Sequence, residues 1–263
     1  MLSKIELTKN LSDLQKNNEN YHQIPYDLEI DDLFFLYSLV RERAVTSILE
    51  FGTGWSTYVL ALSLNENRQL FGESHIRTVR HPNPFKMLTI DASLEYQNIA
   101  IERIPEELLS NVEAVVSTPT ITQFDGVLCH KFDHLPNFTP DLIYLDGPDH
   151  GQVHGDINGF RYLESYTQPI AADILAIEPY LWPETLIVTD GRTANARFLA
   201  DRFKRNWQVL HDPFGDRTIF RLSETPMGQI SEQHINFRLE RARQVNQKEI
   251  PEGFNSNLGS ISF

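Results

Sequence analysis

Short apolar runs alternate along the chain with stretches whose apolar residues recur at helical spacing. The runs predict strands at residues 46–51, 86–91, 112–117, 141–146, 185–190, 207–211 and 218–222. Strands that alternate with helices favour a parallel sheet with helices on both faces. The last two runs are joined by a short loop without a helical pattern, which is typical of an antiparallel hairpin. The pattern therefore predicts an α/β fold: a doubly wound, seven-stranded sheet, mostly parallel, with an antiparallel last strand.

Helical spacing also marks both ends of the chain. Apolar residues within 28–43 predict a helix that packs beside the first strand, and those within 230–242 predict an amphipathic helix in the tail. We expect an N-terminal arm and packing helix at 1–45, the α/β domain at 46–223 and a C-terminal helical tail at 224–263. The tail is also a candidate surface for association with a second copy of the chain.

Three connections between the predicted strands are longer than a simple turn. Two prolines and mixed charge predict a long loop at residues 65–85. Its histidine and arginine side chains are candidates for contact with a substrate, although solvated loop residues need no such role. Residues 120–131 predict a hairpin around an Asp125-Gly126 turn. Residues 152–183 predict a connection that contains two helices.

The charge balance limits the class of ligand. The 263 residues include 23 Lys and Arg against 36 Asp and Glu, a formal net charge of −13. Binding to a phosphate backbone by counterion release needs the opposite sign, so nucleic acid is not an expected partner. The acidic balance favours a small-molecule substrate, which would be the acceptor if a group is transferred to it.

Cysteine content and hydropathy bear on the compartment. Cys129 is the only cysteine, which excludes an intramolecular disulfide or a cysteine-based zinc cluster and fits a reducing cytoplasm. Residues 1–9 mix charged and apolar side chains and lack the continuous apolar segment of a signal peptide. No apolar run approaches the roughly 20 residues of a membrane span. We therefore expect a soluble cytoplasmic protein without a membrane partner.

The first predicted strand leads into a turn with two glycines, Gly52 and Gly54. Glycine lets the backbone turn tightly, and Ser56 or Thr57 can cap the helix that follows. Such a turn presents unpaired N–H groups and the positive end of a helix dipole to a ligand. A strand-to-helix turn also uses glycine for steric reasons alone, so this signal is weak by itself.

The second predicted strand ends on Asp91. A carboxylate at this position can accept hydrogen bonds from both hydroxyls of a bound ribose, as in dinucleotide sites. Asp91 lies 37 positions after Gly54, against about 20 in a compact dinucleotide-binding unit. The proline-bearing insertion accounts for the difference. The alternative is that Asp91 only caps the helix predicted from Ser93 onward.

Asp146 and Asp190 end the fourth and fifth predicted strands, at the sheet edge where ligands of open α/β proteins bind. Asp149 and His150 follow in the turn after Asp146. Carboxylates and an imidazole in one place are candidates to bind a hard divalent cation or to take a proton from an acceptor. The alternative is a turn in which Asp146 and Asp149 accept hydrogen bonds from local backbone N–H groups.

Three of these segments occur in the order of the motifs of a known family. Glu50 with the glycine pair, Asp91, and the segment 145–150 resemble the first, second and fourth motifs of the class I S-adenosylmethionine-dependent methyltransferases. The chain is most similar to the small-molecule O-methyltransferases of that superfamily, over about residues 46–222. One departure is Ser56, which stands where the family's first motif has its third glycine. The resemblance implies a Rossmann-like fold.

The resemblance also implies a set of cofactor contacts. The residues that correspond to S-adenosylmethionine-binding positions are Glu50, Gly52, Thr53, Gly54, Trp55, Ser56, Thr57, Asp91 and Ala92. Asp146 and His150 are the expected catalytic residues. Arg192 and Asn195, in the helix after the fifth strand, are candidate contacts for the acceptor.

A magnesium ion is a second cofactor that the resemblance suggests. In the metal-dependent O-methyltransferases of this superfamily, the aspartates that end the fourth and fifth strands hold one magnesium ion, with an adjacent Asn or Asp as third ligand. Asp146 and Asp190 match the first two positions, and Gly191 stands at the third. The match is complete only if His150 or Asn195 supplies the third ligand.

The expected activity is therefore O-methylation of a small hydroxylated metabolite, such as a sugar or a sugar nucleotide. Three alternatives remain open. A nicotinamide-dependent oxidoreductase normally has a glycine where this chain has Thr57. A hydrolase or lyase would use a metal at Asp146, His150 and Asp190. A non-catalytic member of the fold would keep the crevice as a binding or assembly module.

Overall fold

The computed structural model describes residues 1–17, 28–162 and 168–249. Its strands are β1 (Ser47–Phe51), β2 (Lys86–Asp91), β3 (Val112–Val116), β4 (Pro119–Phe124), β5 (Val127–Phe132), β6 (Leu142–Leu145), β7 (Leu186–Asp190), β8 (Trp207–Asp212) and β9 (Arg217–Leu222). Its helices are α1 (Lys4–Asn17), α2 (Ile30–Glu42), α3 (Trp55–Thr78), α4 (Leu94–Glu102), α5 (Glu106–Leu109), α6 (Asp173–Ile177), α7 (Thr193–Arg202) and α8 (Gln229–Glu249). Every strand that the apolar runs predicted is present.

Seven strands form one sheet in the order β3-β2-β1-β6-β7-β9-β8. β1 pairs in parallel with β2 and with β6, whereas β9 pairs antiparallel with both β7 and β8. The predicted Rossmann-like fold class, including the antiparallel last strand, is confirmed. The strand order changes direction between β1 and β6, and ligands of open α/β sheets bind at such a switch point.

The central strand β1 is buried on both faces of the sheet. Ile48 belongs to a core formed with α2, α3 and α8, and Leu49 and Phe51 belong to a second core formed with α6 and α7. A parallel strand that is covered on both faces reads as a nearly continuous apolar run, which is why the apolar pattern predicted it well.

The predicted loop at residues 65–85 is wrong over most of its length, because α3 continues to Thr78. Asn67 is fully buried, and its amide donates hydrogen bonds to the carbonyl oxygens of Val40 (3.0 Å) and Val45 (2.9 Å). These acceptors lie at the end of α2 and in the segment before β1. Packing against a neighbouring helix supplies most of the stability of a helix in a protein, and this packing cannot be read from the local pattern.

The histidines of that segment are packed against the C-terminal helix. The rings of His75 and His81 lie 5.6 and 4.6 Å from the ring of His234 in α8, centroid to centroid. His234 in turn contacts Asp141, which precedes β6 at the amino-terminal edge of the sheet. This part of the predicted loop therefore lies at the opposite edge from the strand ends that hold the candidate site.

Other connections follow the predictions in part. The predicted hairpin is confirmed as β4 and β5, with Asp125 and Gly126 at φ +48° and +76°, as a tight hairpin turn requires. In the connection 152–183 the structure describes α6 and a short 3₁₀ turn at Glu178–Tyr180. Residues 163–167 of this connection lie outside the described residues.

The two ends of the chain carry helices that pack on the α/β domain. α1 is held by Leu7 and Leu11, which are fully buried, and the remainder of the predicted polar arm, 18–24, lies outside the described residues. α8 packs against α2 and α3 of its own chain. Association through the tail stays a prediction. None of the helices in the described ranges is long and apolar enough to cross a membrane.

Candidate functional site

A pocket of about 310 Å³ opens at the carboxyl-terminal ends of β1, β2, β6 and β7. Its acidic lining residues are Glu29, Asp32, Asp91, Asp146, Asp149 and Asp190, and its other polar and apolar lining residues include Gly52, Thr53, Gly54, Trp55, Ser56, Tyr96, Ile99, Arg103, Tyr144 and Arg192. α2 and α4 supply the side walls. The pocket therefore lies at the switch point of the sheet and collects the predicted strand-end residues.

The glycine turn forms the floor of this pocket. Gly52 has φ +93°, a conformation that favours glycine, and its N–H donates a hydrogen bond to the carbonyl oxygen of Ile90 (2.8 Å). A Cβ on Gly52 would lie 2.8 Å from the backbone nitrogen of Gly147, which follows β6. Glycine at both positions lets the ends of β1 and β6 come into direct backbone contact.

Glu50 lies beneath the turn and is not among the described residues that line the pocket. It is fully buried and accepts hydrogen bonds from the hydroxyls of Ser56 (2.8 Å), Thr57 (2.8 Å) and Thr89 (2.7 Å). Burial raises the pKa of this carboxyl to about 7, against the lowering effect of the three hydroxyls. Its position indicates that it holds the turn in place rather than contacting a ligand.

Thr57 and Ser56 complete the start of α3. The Thr57 hydroxyl accepts a hydrogen bond from the backbone N–H of Gly54 (3.0 Å) while it donates to Glu50, so Thr57 fixes the first turn of the helix. Ser56 lines the pocket, but its hydroxyl also points to Glu50. The serine that replaces the family's third glycine thus donates a hydrogen bond to the buried carboxylate of Glu50.

Asp91 lines the pocket at the end of β2 and is 6% exposed. Its Oδ2 accepts hydrogen bonds from the N–H (2.7 Å) and the hydroxyl (2.8 Å) of Thr53, and its Oδ1 accepts one from the N–H of Ser93 (2.7 Å). A carboxylate has about four acceptor positions, so roughly one remains, on Oδ1. The helix cap is Ser93, whose hydroxyl accepts from Tyr96 N–H, which leaves Asp91 to face the pocket.

Ala92 is partly buried and packs against the second core. It is not among the described residues that line the pocket. Its predicted role in cofactor binding stays a prediction.

Asp146 and Asp190 lie side by side because β6 and β7 pair in parallel, with Leu145 opposite Thr189. The Tyr144 hydroxyl donates a hydrogen bond to Asp190 Oδ2 (2.7 Å). The pKa of Asp146 is raised to about 7 and that of Asp190 to about 6, in both cases mainly because the surrounding protein limits the hydration of the carboxylate. Asp146 is recessed in the pocket rather than fully buried, since 51% of its side chain is exposed. Neighbouring carboxylates also disfavour its charged form, against the lowering effect of Arg192.

Arg192 connects the two strand ends. It is 5% exposed and donates hydrogen bonds to the carbonyl oxygens of Asp146 (2.6 Å) and Pro148 (3.1 Å), and its Nε lies 3.9 Å from Asp146 Oδ1. Two of its donors are therefore committed to backbone. Arg192 lines the pocket and positions the turn that carries Asp146.

Two further predicted residues lie outside the pocket lining. His150 is partly exposed in a 3₁₀ turn, whereas its neighbours Asp149 and Gln152 line the pocket. Asn195 is buried in α7, and its amide makes two hydrogen bonds to the backbone of Ala171 (2.7 and 3.2 Å). The structure thus ties Asn195 to a neighbouring segment, and Asp146 rather than His150 lines the pocket.

Magnesium at Asp146 and Asp190 would have two carboxylates from the protein, a set that such an ion can accept when water fills the other positions. Of the two candidates for a third ligand, His150 does not form a closely spaced group with them, and the amide of Asn195 is bonded to the backbone of Ala171. Within the described ranges, three His, Cys, Asp or Glu side chains have closely spaced ligand atoms only at His81, Asp141 and His234, at the other edge of the sheet.

That second group is not suited to a metal ion. The N–H of Asn83 donates to His81 Nδ1 (3.1 Å), which leaves the proton of the neutral ring on Nε2. Asp141 Oδ1 already accepts hydrogen bonds from His234 (2.7 Å) and Arg238 (2.9 Å). We interpret the group as the docking contact of α8.

Among the pocket-lining residues that were not predicted from sequence are Glu29, Asp32, Arg103 and Tyr144. Tyr144 had a detectable signal, since it is a polar aromatic residue two positions before Asp146 in a buried run. Glu29 and Asp32 precede or begin α2, and only the packing of that helix brings them to the strand ends. Arg103 follows Ile99 at helical spacing, which did not distinguish it from a solvated residue.

The sequence matches no protein-family model and no curated protein. Among solved structures, it is similar to the O-methyltransferase TomG of Streptomyces achromogenes in complex with SAM, with 14% identity over 82% of this chain and 90% of that chain and a TM-score of 0.46. It is also similar to an O-methyltransferase of Bacillus cereus in complex with SAH, with 17% identity over 82% of this chain and 91% of that chain and a TM-score of 0.46. A third similar structure is the SAH-bound methyltransferase PaMTH1 of Podospora anserina, with 14% identity over 85% of this chain and 89% of that chain and a TM-score of 0.48.

The strand order itself defines the class of the fold. A mostly parallel sheet in the order β3-β2-β1-β6-β7-β9-β8, with β9 inserted antiparallel beside β7, is the Rossmann-like arrangement that the sequence pattern predicted. The glycine turn and Asp91 occupy the positions that the sequence motifs predicted within it.

Proposed function

We propose that the chain is an S-adenosylmethionine-dependent methyltransferase that methylates a hydroxyl oxygen of a small metabolite, such as a sugar or a sugar nucleotide. The observation that carries this proposal is the placement of Asp91 beside the Gly52–Gly54 turn, both facing one pocket at the switch point of the sheet. The turn offers the start of α3 to a polar ligand. The remaining acceptor position on Asp91 Oδ1 suits a ribose hydroxyl.

The reaction would be an in-line displacement. S-adenosylmethionine, held at the glycine turn and Asp91, would supply the methyl group: the acceptor oxygen would bond to the methyl carbon as the sulfur–methyl bond breaks, and the electron pair would pass to sulfur. Because the sulfonium is an activated donor, the pocket has to hold the acceptor and the methyl group in line and to receive the hydroxyl proton.

Asp146 is the favoured proton acceptor. It lines the pocket, and its pKa of about 7 is close to the value at which a general base is most effective near neutral pH. Arg192 fixes the backbone on both sides of the turn after Asp146, which positions the carboxylate. His150 remains the second candidate, and Arg192 and Asn195 remain candidate contacts for the acceptor.

Asp146 and Asp190 are the residues that would hold magnesium if the reaction uses it. Such an ion would lower the pKa of a bound acceptor hydroxyl. The two raised carboxyl pKa values support a site where added positive charge is favourable. Turnover measured with EDTA and then with restored Mg²⁺ tests this part of the proposal separately from cofactor binding.

Calorimetric titration of the purified protein with S-adenosylmethionine, S-adenosylhomocysteine and NAD tests the cofactor. We expect both sulfur ligands to bind, NAD not to bind, and Asp91→Ala to weaken binding of the sulfur ligands at least tenfold. Asp201→Ala is the matched control, because Asp201 is exposed on α7 away from the pocket lining. Binding of NAD alone would favour an oxidoreductase, and binding of none of the three would favour a non-catalytic module or a metal-dependent hydrolase or lyase.

The acceptor is best sought by incubating the protein with methyl-labelled S-adenosylmethionine and a panel of sugars, sugar nucleotides and other hydroxylated metabolites. Transfer of label that disappears in Asp146→Ala would support the proposed chemistry. A variant of unchanged activity would remove Asp146 from the reaction.

A further inference from the structure

Arg103 follows α4 and reaches the wall of the pocket next to the glycine turn. Its guanidinium carbon lies 4.1 Å from the centroid of the Trp55 ring, so the two planar groups form a cation–π contact at the start of α3. The residue is 5% exposed. Trp55 therefore fixes the position of a positive charge beside the candidate ligand.

This charge has no anionic partner among the described residues. Nε and Nη2 of Arg103 are both buried without a hydrogen-bond acceptor there. Burial lowers the pKa of the guanidinium to about 10. A buried cation is unfavourable unless it is paired, so a ligand that supplied an anionic oxygen would relieve this cost.

The charges of the other lining residues restrict where an anion can bind. Six carboxylates line the pocket, and Arg103 and Arg192 are the basic residues in the described lining. Arg192 already donates to the carbonyl oxygens of Asp146 and Pro148. An anionic group placed next to the strand ends would meet carboxylates, whereas on the α4 side it would meet Arg103.

We propose that Arg103, held against Trp55, binds an anionic oxygen group of the molecule that occupies the pocket. Guanidinium is suited to this role because it donates several hydrogen bonds to a carboxylate or phosphate in fixed geometry. The group has two possible sources: the amino-acid carboxylate of the cofactor, or a carboxylate or phosphate of the acceptor. Both sources rest on the proposed function, whereas binding of an anion by Arg103 itself does not.

Arg103→Met distinguishes the sources, because methionine keeps an apolar contact with Trp55 and removes the charge. The first measurement is calorimetric titration with S-adenosylhomocysteine and with methylthioadenosine, which lacks the amino-acid carboxylate. If the cofactor supplies the anion, the variant loses about 10- to 100-fold in affinity for S-adenosylhomocysteine and less than about 2-fold for methylthioadenosine. Arg77→Met is the control, because Arg77 is 77% exposed on α3.

The second measurement uses inorganic phosphate as a probe of the acceptor's anion, titrated into protein saturated with S-adenosylhomocysteine. Binding to the wild type that is lost in Arg103→Met supports the acceptor as the source. If Arg103→Met changes neither the ratio of the affinities for S-adenosylhomocysteine and methylthioadenosine nor the binding of phosphate, the proposal is overturned.

If the wild type binds neither S-adenosylhomocysteine nor methylthioadenosine, the proposed function fails. Phosphate titration of the ligand-free wild type and Arg103→Met then tests Arg103 alone. Thermal unfolding of each variant checks that the fold is kept, and Arg103→Lys is expected to restore part of the lost affinity.

Discussion

Gly52 and Gly147 are in backbone contact where β1 and β6 end. A Cβ on Gly147 would lie 2.6 Å from the Cα of Gly52 and 2.8 Å from its nitrogen. Backbone atoms cannot turn aside as a flexible side chain can, so a methyl group at this position must separate the two strand ends. Those strand ends carry the glycine turn on one side and Asp146 on the other.

Gly147→Ala is therefore expected to lower the free energy of unfolding by about 3 kcal/mol or more and to abolish binding of S-adenosylhomocysteine. Urea unfolding and calorimetry measure the two effects. Gly54→Ala is the informative comparison, since a Cβ there would meet only Ser56 Oγ at 3.9 Å, and we expect stability to be nearly unchanged. Equal destabilisation by the two substitutions would contradict the proposed role of the glycine contact.

The strand ends could be predicted from sequence because their geometry follows from general rules. Parallel strands that are buried on both faces read as short apolar runs, and their carboxyl ends meet at one edge. Asp91, Asp146 and Asp190 each follow directly from that rule, and all three line the pocket. The rule does not say whether a side chain in the same motif faces the ligand or the core, which is why Glu50 was predicted as a contact.

The parts that sequence did not reveal depend on contacts between distant segments. α3 extends past residue 65 because Asn67 bonds to carbonyl groups that lie 22 and 27 positions earlier in the chain. Arg103 becomes a pocket residue only because α4 packs on α3 and places its guanidinium over Trp55. No local spacing distinguishes such residues from solvated ones.

Glu50 offers a prediction in which charge and hydrogen bonding are separated. In Glu50→Ala the buried hydroxyls of Ser56, Thr57 and Thr89 lose their acceptor, and each buried polar group left unsatisfied costs about 1–3 kcal/mol. In Glu50→Gln an amide can still accept from one hydroxyl and donate to the others. We expect the alanine variant to be destabilised by several kcal/mol and the glutamine variant only slightly at pH 8.

The pH dependence of stability checks this account. The folded-state pKa of Glu50 is raised to about 7, above its ordinary value near 4.3. The folded state therefore binds this proton more tightly than the unfolded state does. The stability that the protonated Glu50 contributes is present below about pH 4 and is lost as pH rises to about 7. The urea midpoint of Glu50→Gln should vary less with pH over this window than that of the wild type. An equal slope in both proteins would show that Glu50 does not titrate in this range.

Asp146 gives a prediction on the reaction rate. If it takes the acceptor proton, kcat/KM should rise about tenfold per pH unit below its pKa of about 7 and level off above it. Asp146→Asn should lower kcat by about 10²- to 10⁴-fold and leave affinity for S-adenosylhomocysteine within a few fold. A rate profile with the same inflection in Asp146→Asn would assign the titrating group elsewhere, with His150 next to be tested.

Asp141 supports the docking of α8 at the opposite edge of the sheet. Its carboxylate accepts hydrogen bonds from the N–H and hydroxyl of Thr46 (both 2.8 Å), from His234 Nε2 (2.7 Å) and from Arg238 (2.9 Å). All of these side chains are buried. Removal of the negative charge leaves the Arg238 guanidinium buried without a counter-ion, which costs about 3–5 kcal/mol.

We therefore expect Asp141→Asn to lower the urea midpoint strongly and to speed hydrogen exchange within Gln229–Glu249. Burial opposes the charged form of Asp141, but Arg238 and His234 outweigh it and hold its pKa well below the ordinary value near 3.9. The sign is thus opposite to that for Glu50: this contribution is present above about pH 4 and is lost as pH falls further. Glu240→Gln is the control on the same helix, because Glu240 is 62% exposed. Unchanged exchange in α8 of Asp141→Asn would show that apolar packing alone holds the helix.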